Sequence, residues 1–168
     1  MPVVDIEKLP DTSRVWVFGS DRPLAAGKDR VLLEEVDRFL GGWKAHGAPL
    51  TVGRSWKHDR FLTIAVDQST EGASGCSIDG LFRALKALEP QLGASLVTSG
   101  CVFFRDEGGT IVCETRDRFG ELGSQGKVSA STQVFDPTVT SLGEWRARFE
   151  LKAGDSWHAG LLGDGQPA

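Results

Sequence analysis

The chain has 168 residues, 40% of them hydrophobic and 25% charged, and a net charge of −4. That balance suits one soluble domain, or a domain with a small appendage, with a core that needs no covalent staples. Acidic and basic residues are interspersed, which argues against a broad nucleic-acid surface. No segment reaches the ~18 apolar residues of a membrane span, and the first ten residues, with Asp5, Glu7 and Lys8, lack a signal-peptide apolar region. Three cysteines without CxxC spacing imply neither a disulfide framework nor a thiolate zinc site, and point to a reducing cytoplasm.

Residues 14–19 read as a short buried strand, in which Val15, Trp16, Val17 and Phe18 run without a polar break. Asp21-Arg22-Pro23 interrupts it. Residues 28–44 carry Leu32, Val36, Phe39, Leu40 and Trp43 at helical spacing, and Gly47-Ala48-Pro49 ends the run. Residues 50–54 and 61–67 are strand candidates on either side of a polar turn containing Trp56. Phe61, Leu62, Ile64, Ala65 and Val66 mark the second of these as a central strand. Ser77 is placed to cap a second helix, whose stripe is Ile78, Leu81, Phe82, Leu85 and Leu88 and whose close is Pro90 and Gly93. Residues 96–105 and 110–114 form a hairpin across Asp106-Glu107-Gly108-Gly109.

The expected architecture over residues 1–114 is therefore α+β, a ferredoxin-like βαββαβ sandwich with an extra hairpin strand. Residues 115–168 read as a small α/β C-terminal extension packed on it. There Thr115 caps a short helix that buries Phe119 and Leu122, an apolar stretch follows around Val134 and Phe135, and Trp145 and Phe149 come after it.

Several runs together resemble a family of small bacterial proteins of unassigned function. They are Arg14-Val15-Trp16-Val17-Phe18 with Arg22-Pro23-Leu24, the stretch from Trp43 to Leu50, and that from Phe61 to Asp67. Ser74 to Asp79 and the terminal Asp155-Ser156-Trp157-His158 complete the likeness, which covers nearly the whole chain. Some members carry a transporter-ATPase name, but no GxxxxGK(S/T) phosphate-cradling loop exists here. Where similar sequences place a Ser or Thr helix cap after Arg-Pro-Leu, this chain has Ala25 and Ala26. The resemblance implies no catalytic residues.

The densest group of reactive side chains is Ser74-Gly75-Cys76-Ser77-Ile78-Asp79, between a strand ending in Asp67 and a helix. In the expected sandwich this run shares an edge with His46, after the first helix, and with Arg105, at the end of the fourth strand. His58, Asp21 and Arg22 fall at the opposite edge. Cys76 at a helix start has the amides and dipole that lower a thiol pKa, and His46 or His158 is the candidate base. Against that, Cys76 also suits plain packing, Ser77 a cap, Gly75 a turn and Asp79 the helix dipole. No HxxxH or HExxH pattern suggests a metal, and no cofactor motif is present.

The leading expectation is a cytosolic domain that binds a small ligand or a partner protein at the Asp67–Asp79 loop, through Asp67, Ser74, Gly75, Ser77 and Asp79 with Arg105 and His158. The alternative is a cysteine-dependent hydrolase or acyl transferase that uses Cys76 with His46 or His158. A third reading, a nucleic-acid contact made by Trp56 among Arg54, Lys57, His58 and Arg60, is disfavoured by the acidic net charge.

Overall fold

A computed structural model describes residues 3–45, 47–68, 75–96 and 100–163, with the backbone alone at 45, 48, 49 and 75–77. The protein is α+β and its contacts separate into two units. The first is Met1–Thr98 with Pro137–Arg146, and the second is Ser99–Asp136 with Ala147–Ala168. The division does not fall at 114/115. The hairpin after the second helix goes with the C-terminal part, and a ten-residue stretch near the end returns to the N-terminal part.

In the first unit, β1 (Arg14–Gly19), α1 (Lys28–Gly41), the two-residue ladder β2 (Lys44–Ala45) with β3 (Ala48–Pro49), β4 (Val52–Lys57), β5 (Phe61–Val66) and α2 (Gly75–Leu92) follow in order. The main sheet is antiparallel with strand order β1-β5-β4, so the apolar β5 is central and buried at all six positions. Leu32, Val36 and Leu40 of α1 and Leu81, Leu85 and Leu88 of α2 form one core with Leu62, Ile64 and Val66. The spacing of these leucines is what turns both helices toward the strands.

Several local expectations meet the structure directly. α1 has no side-chain cap at Gly27, in line with the alanines before it. Gly93, at φ +67°, closes α2 one turn after Pro90, which the helix accommodates within its last turn. Two expectations are corrected. Trp56 lies inside β4 rather than in a turn; the turn is His58–Asp59, both at positive φ. Ser77 lies within the first turn of α2, which already includes Gly75, so it does not stand at the cap position.

The larger difference concerns the fourth strand of the expected sandwich. β6 (Cys101–Arg105) does not join the first sheet. It pairs with β7 (Ile111–Thr115) and with β8 (Gln133–Phe135), and β9 (Glu150–Lys152) completes a second antiparallel sheet of order β7-β6-β8-β9. At the outer edge of β1, Val15 N–H instead donates to Thr140 O (3.0 Å), and Arg14 bridges Ser141. A strand edge left unpaired in the interior would strand its amides without partners, and this backbone satisfies that of Val15.

In the second unit α3 (Arg116–Ser124) covers one face of its sheet. Thr115 caps it by accepting Arg118 N–H (3.1 Å), as its sequence position implies. Phe119 is fully buried and stands edge-on to Phe104 at 5.1 Å between ring centres, in a core with Val102, Val128, Val134 and Leu162. α4 (Leu142–Arg148) leads into β9. No helix among the described residues is long and apolar enough to cross a membrane.

Candidate binding site

The residues expected to form one site are divided between the two units. Asp67 directly follows β5, half-buried, and its N–H donates to Thr51 O (2.9 Å), which ties that end to the segment leading into β4. Asp79 is exposed on α2, one residue before Gly80, where an added Cβ would lie 3.7 Å from the Phe39 ring. The second turn of α2 therefore packs beside Phe39, near the end of α1. His46, Ser74 and the side chains of Cys76 and Ser77 lie outside the described residues, while the backbone of Gly75 opens α2.

Arg105 and His158 belong to the second unit. Arg105 Nη1 donates to Gly109 O (2.8 Å) across its own hairpin, and its guanidinium lies 5.6 Å from the centre of the Phe135 ring. The fourth-strand correction explains this, since the residue travels with β6. The opposite edge matches expectation: Ser20 N–H donates to Arg60 O (2.7 Å) and Arg60 Nη2 to Asp21 O (3.2 Å) beside the His58 turn. The basic residues around Trp56 are occupied. Arg54 makes a two-pronged ion pair with Asp37 (2.7 and 3.0 Å), Lys57 lies 4.5 Å from the Trp145 ring centre, and Arg60 is buried.

His158 has no exposed surface. Its Nδ1 is 2.7 Å from Ser156 Oγ, which also accepts His158 N–H (3.1 Å) and donates to Ala153 O (3.1 Å), while Nε2 is buried without a hydrogen-bond partner among the described residues. Trp157 stacks on the imidazole at 3.9 Å and gives its indole N–H to the buried Asp136 (3.1 Å); Arg116 lies 5.1 Å from the indole centre. Burial holds the imidazole pKa down to about 4; Arg116 adds to that effect, and Asp136 opposes it. The ring is therefore neutral at neutral pH, and it packs the chain end against α3 with no face open to a ligand. Trp157, at 36% exposure, is the one large exposed hydrophobic residue among the described residues.

The hollow best built for a ligand lies wholly in the second unit, between the β6–β7 hairpin and α3, with a volume of about 320 Å³. Phe104, Val112, Leu122 and Val128 form its floor. Strand alternation explains the pairing, because Val112 sits opposite Phe104 and Glu114, two residues on, points to the same face. Asp106, Glu107 and Glu114 line the hairpin wall, and Arg118 and Lys127 the helix wall. A wider hollow of about 510 Å³ in the first unit is lined by Asp21, Glu89 and the end of α2. Its carboxylates are already engaged: Asp21 accepts Ser95 N–H (2.9 Å), and Glu89 accepts from Ser95 Oγ (2.8 Å) and Leu96 N–H (3.0 Å). Among the described residues no group of three or more His, Cys, Asp or Glu is arranged to hold a metal.

No protein-family model, curated protein or solved structure matches this chain. Local patterns could not have flagged the cleft. Phe104, Glu114, Leu122 and Lys127 sit on four different segments, and each is ordinary in its own context. The one usable signal was the Thr115 cap, which sets α3 directly after β7 and so closes a hollow between them.

Proposed function

We propose that this chain is a binding protein and that the cleft between β7 and α3 takes a small ligand. One observation carries the reading: an apolar floor, buried at Phe104 and Val128 and half-buried at Val112 and Leu122, joined to charged groups on two walls, the combination typical of small-molecule sites. A thermal-shift screen of metabolites, followed by amide NMR of the full chain, tests it. A ligand at about 100 times its Kd stabilises by about 2.7 kcal/mol, and its binding moves the amides of Val112, Leu122 and Lys127. If every stabilising compound leaves those amides unmoved, the cleft is not the site.

The Asp67–Asp79 edge is a second place for a ligand or partner. Two contacts support it: the Thr51–Asp67 bond ties the end of β5 to the segment before β4, and Gly80 of α2 lies close to Phe39 near the end of α1. Cysteine-dependent acyl transfer at Cys76 needs a base within hydrogen-bond reach. Alkylation of Cys76 against pH, with Cys101 and Cys113 replaced, decides it: an ordinary thiol profile rules out the nucleophile, and a depressed pKa lost in His46→Ala establishes it. The family resemblance adds the proposal of a bacterial, cytoplasmic setting.

A further inference from the structure

We infer that the occupant of the β7–α3 cleft is a small zwitterion with an apolar body, an α-amino acid or a dipeptide with aliphatic or aromatic side chains. The inference rests on the ligand-binding reading of that cleft and adds the class of ligand. Its basis is the sorting of charge by wall, which follows from local structure. Asp106 begins the hairpin turn, and its Oδ1 accepts the N–H groups of Gly108 (2.9 Å) and Thr110 (3.0 Å). Glu114 is carried on the cleft face of β7. Across from them, Arg118 stands in the first turn of α3, while Lys127 follows its last turn, with Lys127 N–H bonded to Leu122 O (2.9 Å). A cation there also complements the helix dipole.

The five charges are not equally open. Asp106 is held in its turn, and Arg118 Nη1 donates to Glu121 (3.0 Å). Half-buried Glu114 and exposed Glu107 and Lys127 have no ion pair among the described residues, and of these Glu107 lies in the hairpin turn itself, leaving Glu114 on the strand and Lys127 after the helix as the open pair. A ligand lying over Phe104 and Leu122 removes water from both. A cation alone answers Glu114 and leaves Lys127 facing its apolar part; an anion alone does the reverse. Only a molecule with both charges and an apolar body leaves neither group desolvated without a partner. The volume stands at the small end of ligand sites, which suits one or two amino-acid units.

The test titrates the full-length chain by amide NMR with four probes: phenylalanine, leucyl-leucine, phenethylamine and 3-phenylpropionate. The expected result is that a zwitterion moves the amides of Gly108, Val112, Leu122 and Lys127 and binds about tenfold or more tightly than either singly charged analogue, as an unpaired desolvated group implies. Which zwitterion binds tighter distinguishes an amino acid from a dipeptide. Lys127→Met removes the preference over phenethylamine, and Glu114→Gln removes the preference over 3-phenylpropionate. Equal binding of a singly charged probe overturns the inference and leaves the cleft reading standing. So does the absence of any shift from all four probes when a metabolite of another class moves the same amides. If no compound of any class moves them, both readings fail.

Discussion

Acid should destabilise this protein through His158, and the size of the effect follows from its surroundings. The imidazole titrates at about 4 in the folded chain against an ordinary 6.5, chiefly because it is buried. A lowered folded-state pKa means that the unfolded chain binds the proton first. The stabilisation is therefore complete above pH 6.5 and is lost as pH falls toward 4. At about 1.36 kcal/mol per pH unit, the loss across that window is about 3 kcal/mol, a large part of a typical 5–15 kcal/mol total. To isolate this contribution the reference is His158→Phe, which keeps an aromatic ring against Trp157 and Phe119 but cannot take a proton. Urea midpoints are measured for both proteins between pH 7.5 and 4, with an NMR titration of the three histidine rings. The stability of the parent relative to His158→Phe should fall by about 3 kcal/mol over that range, and one imidazole should remain neutral until close to pH 4. A stability difference that stays constant with pH, or three rings that all titrate near 6.5, would refute the argument.

Three further substitutions probe the packing. Gly53→Ala puts a Cβ 2.9 Å from Ile6 Cα and 3.0 Å from Val4 O, both backbone atoms, so it should cost about 1–3 kcal/mol in urea unfolding and expose the Val4–Ile6 amides to hydrogen exchange. Arg146 donates to Asp11 (2.6 Å) and to the carbonyls of Ile6, Glu7 and Leu9 (3.3, 3.3 and 3.1 Å); Arg146→Lys cannot span these acceptors, and it should speed exchange in residues 4–9 while β5 stays protected. Phe119→Ala empties the centre of the second core and should cost about 3–5 kcal/mol, read as a lowered urea midpoint.

Much of the local structure was legible from residue spacing. The stripes Leu32-Val36-Leu40 and Leu81-Leu85-Leu88 specify the buried faces of α1 and α2, and the turn at Asp106–Gly109 specifies the hairpin. These features depend on residues at most a few positions apart, so they are written in the order of the chain. The site was less legible. Asp67 and the start of α2 were assigned to one edge from topology, but Arg105 was assigned there only because β6 was expected to join the first sheet.

The amino-acid sequence alone indicated β1, β5, the β6–β7 hairpin and the helices α1, α2 and α3, with the apolar stripes of α1 and α2; it indicated neither α4, the β2–β3 ladder nor the extent of β4. The tertiary structure decided which sheet β6 enters, what backbone closes the edge of β1, and which charges face each other across the β7–α3 cleft. The reason is physical: an apolar strand with unpaired amides can be satisfied at any compatible edge. The choice between edges rests on the whole set of long-range contacts, here the backbone at Thr140–Ser141 on one side and the β7–β8 pairing of β6 on the other. The buried state of His158 has the same origin. The local run Ser156-Trp157-His158 supplies the stacked indole and the Nδ1 partner, but the loss of all exposed surface also needs Phe119, from a distant segment.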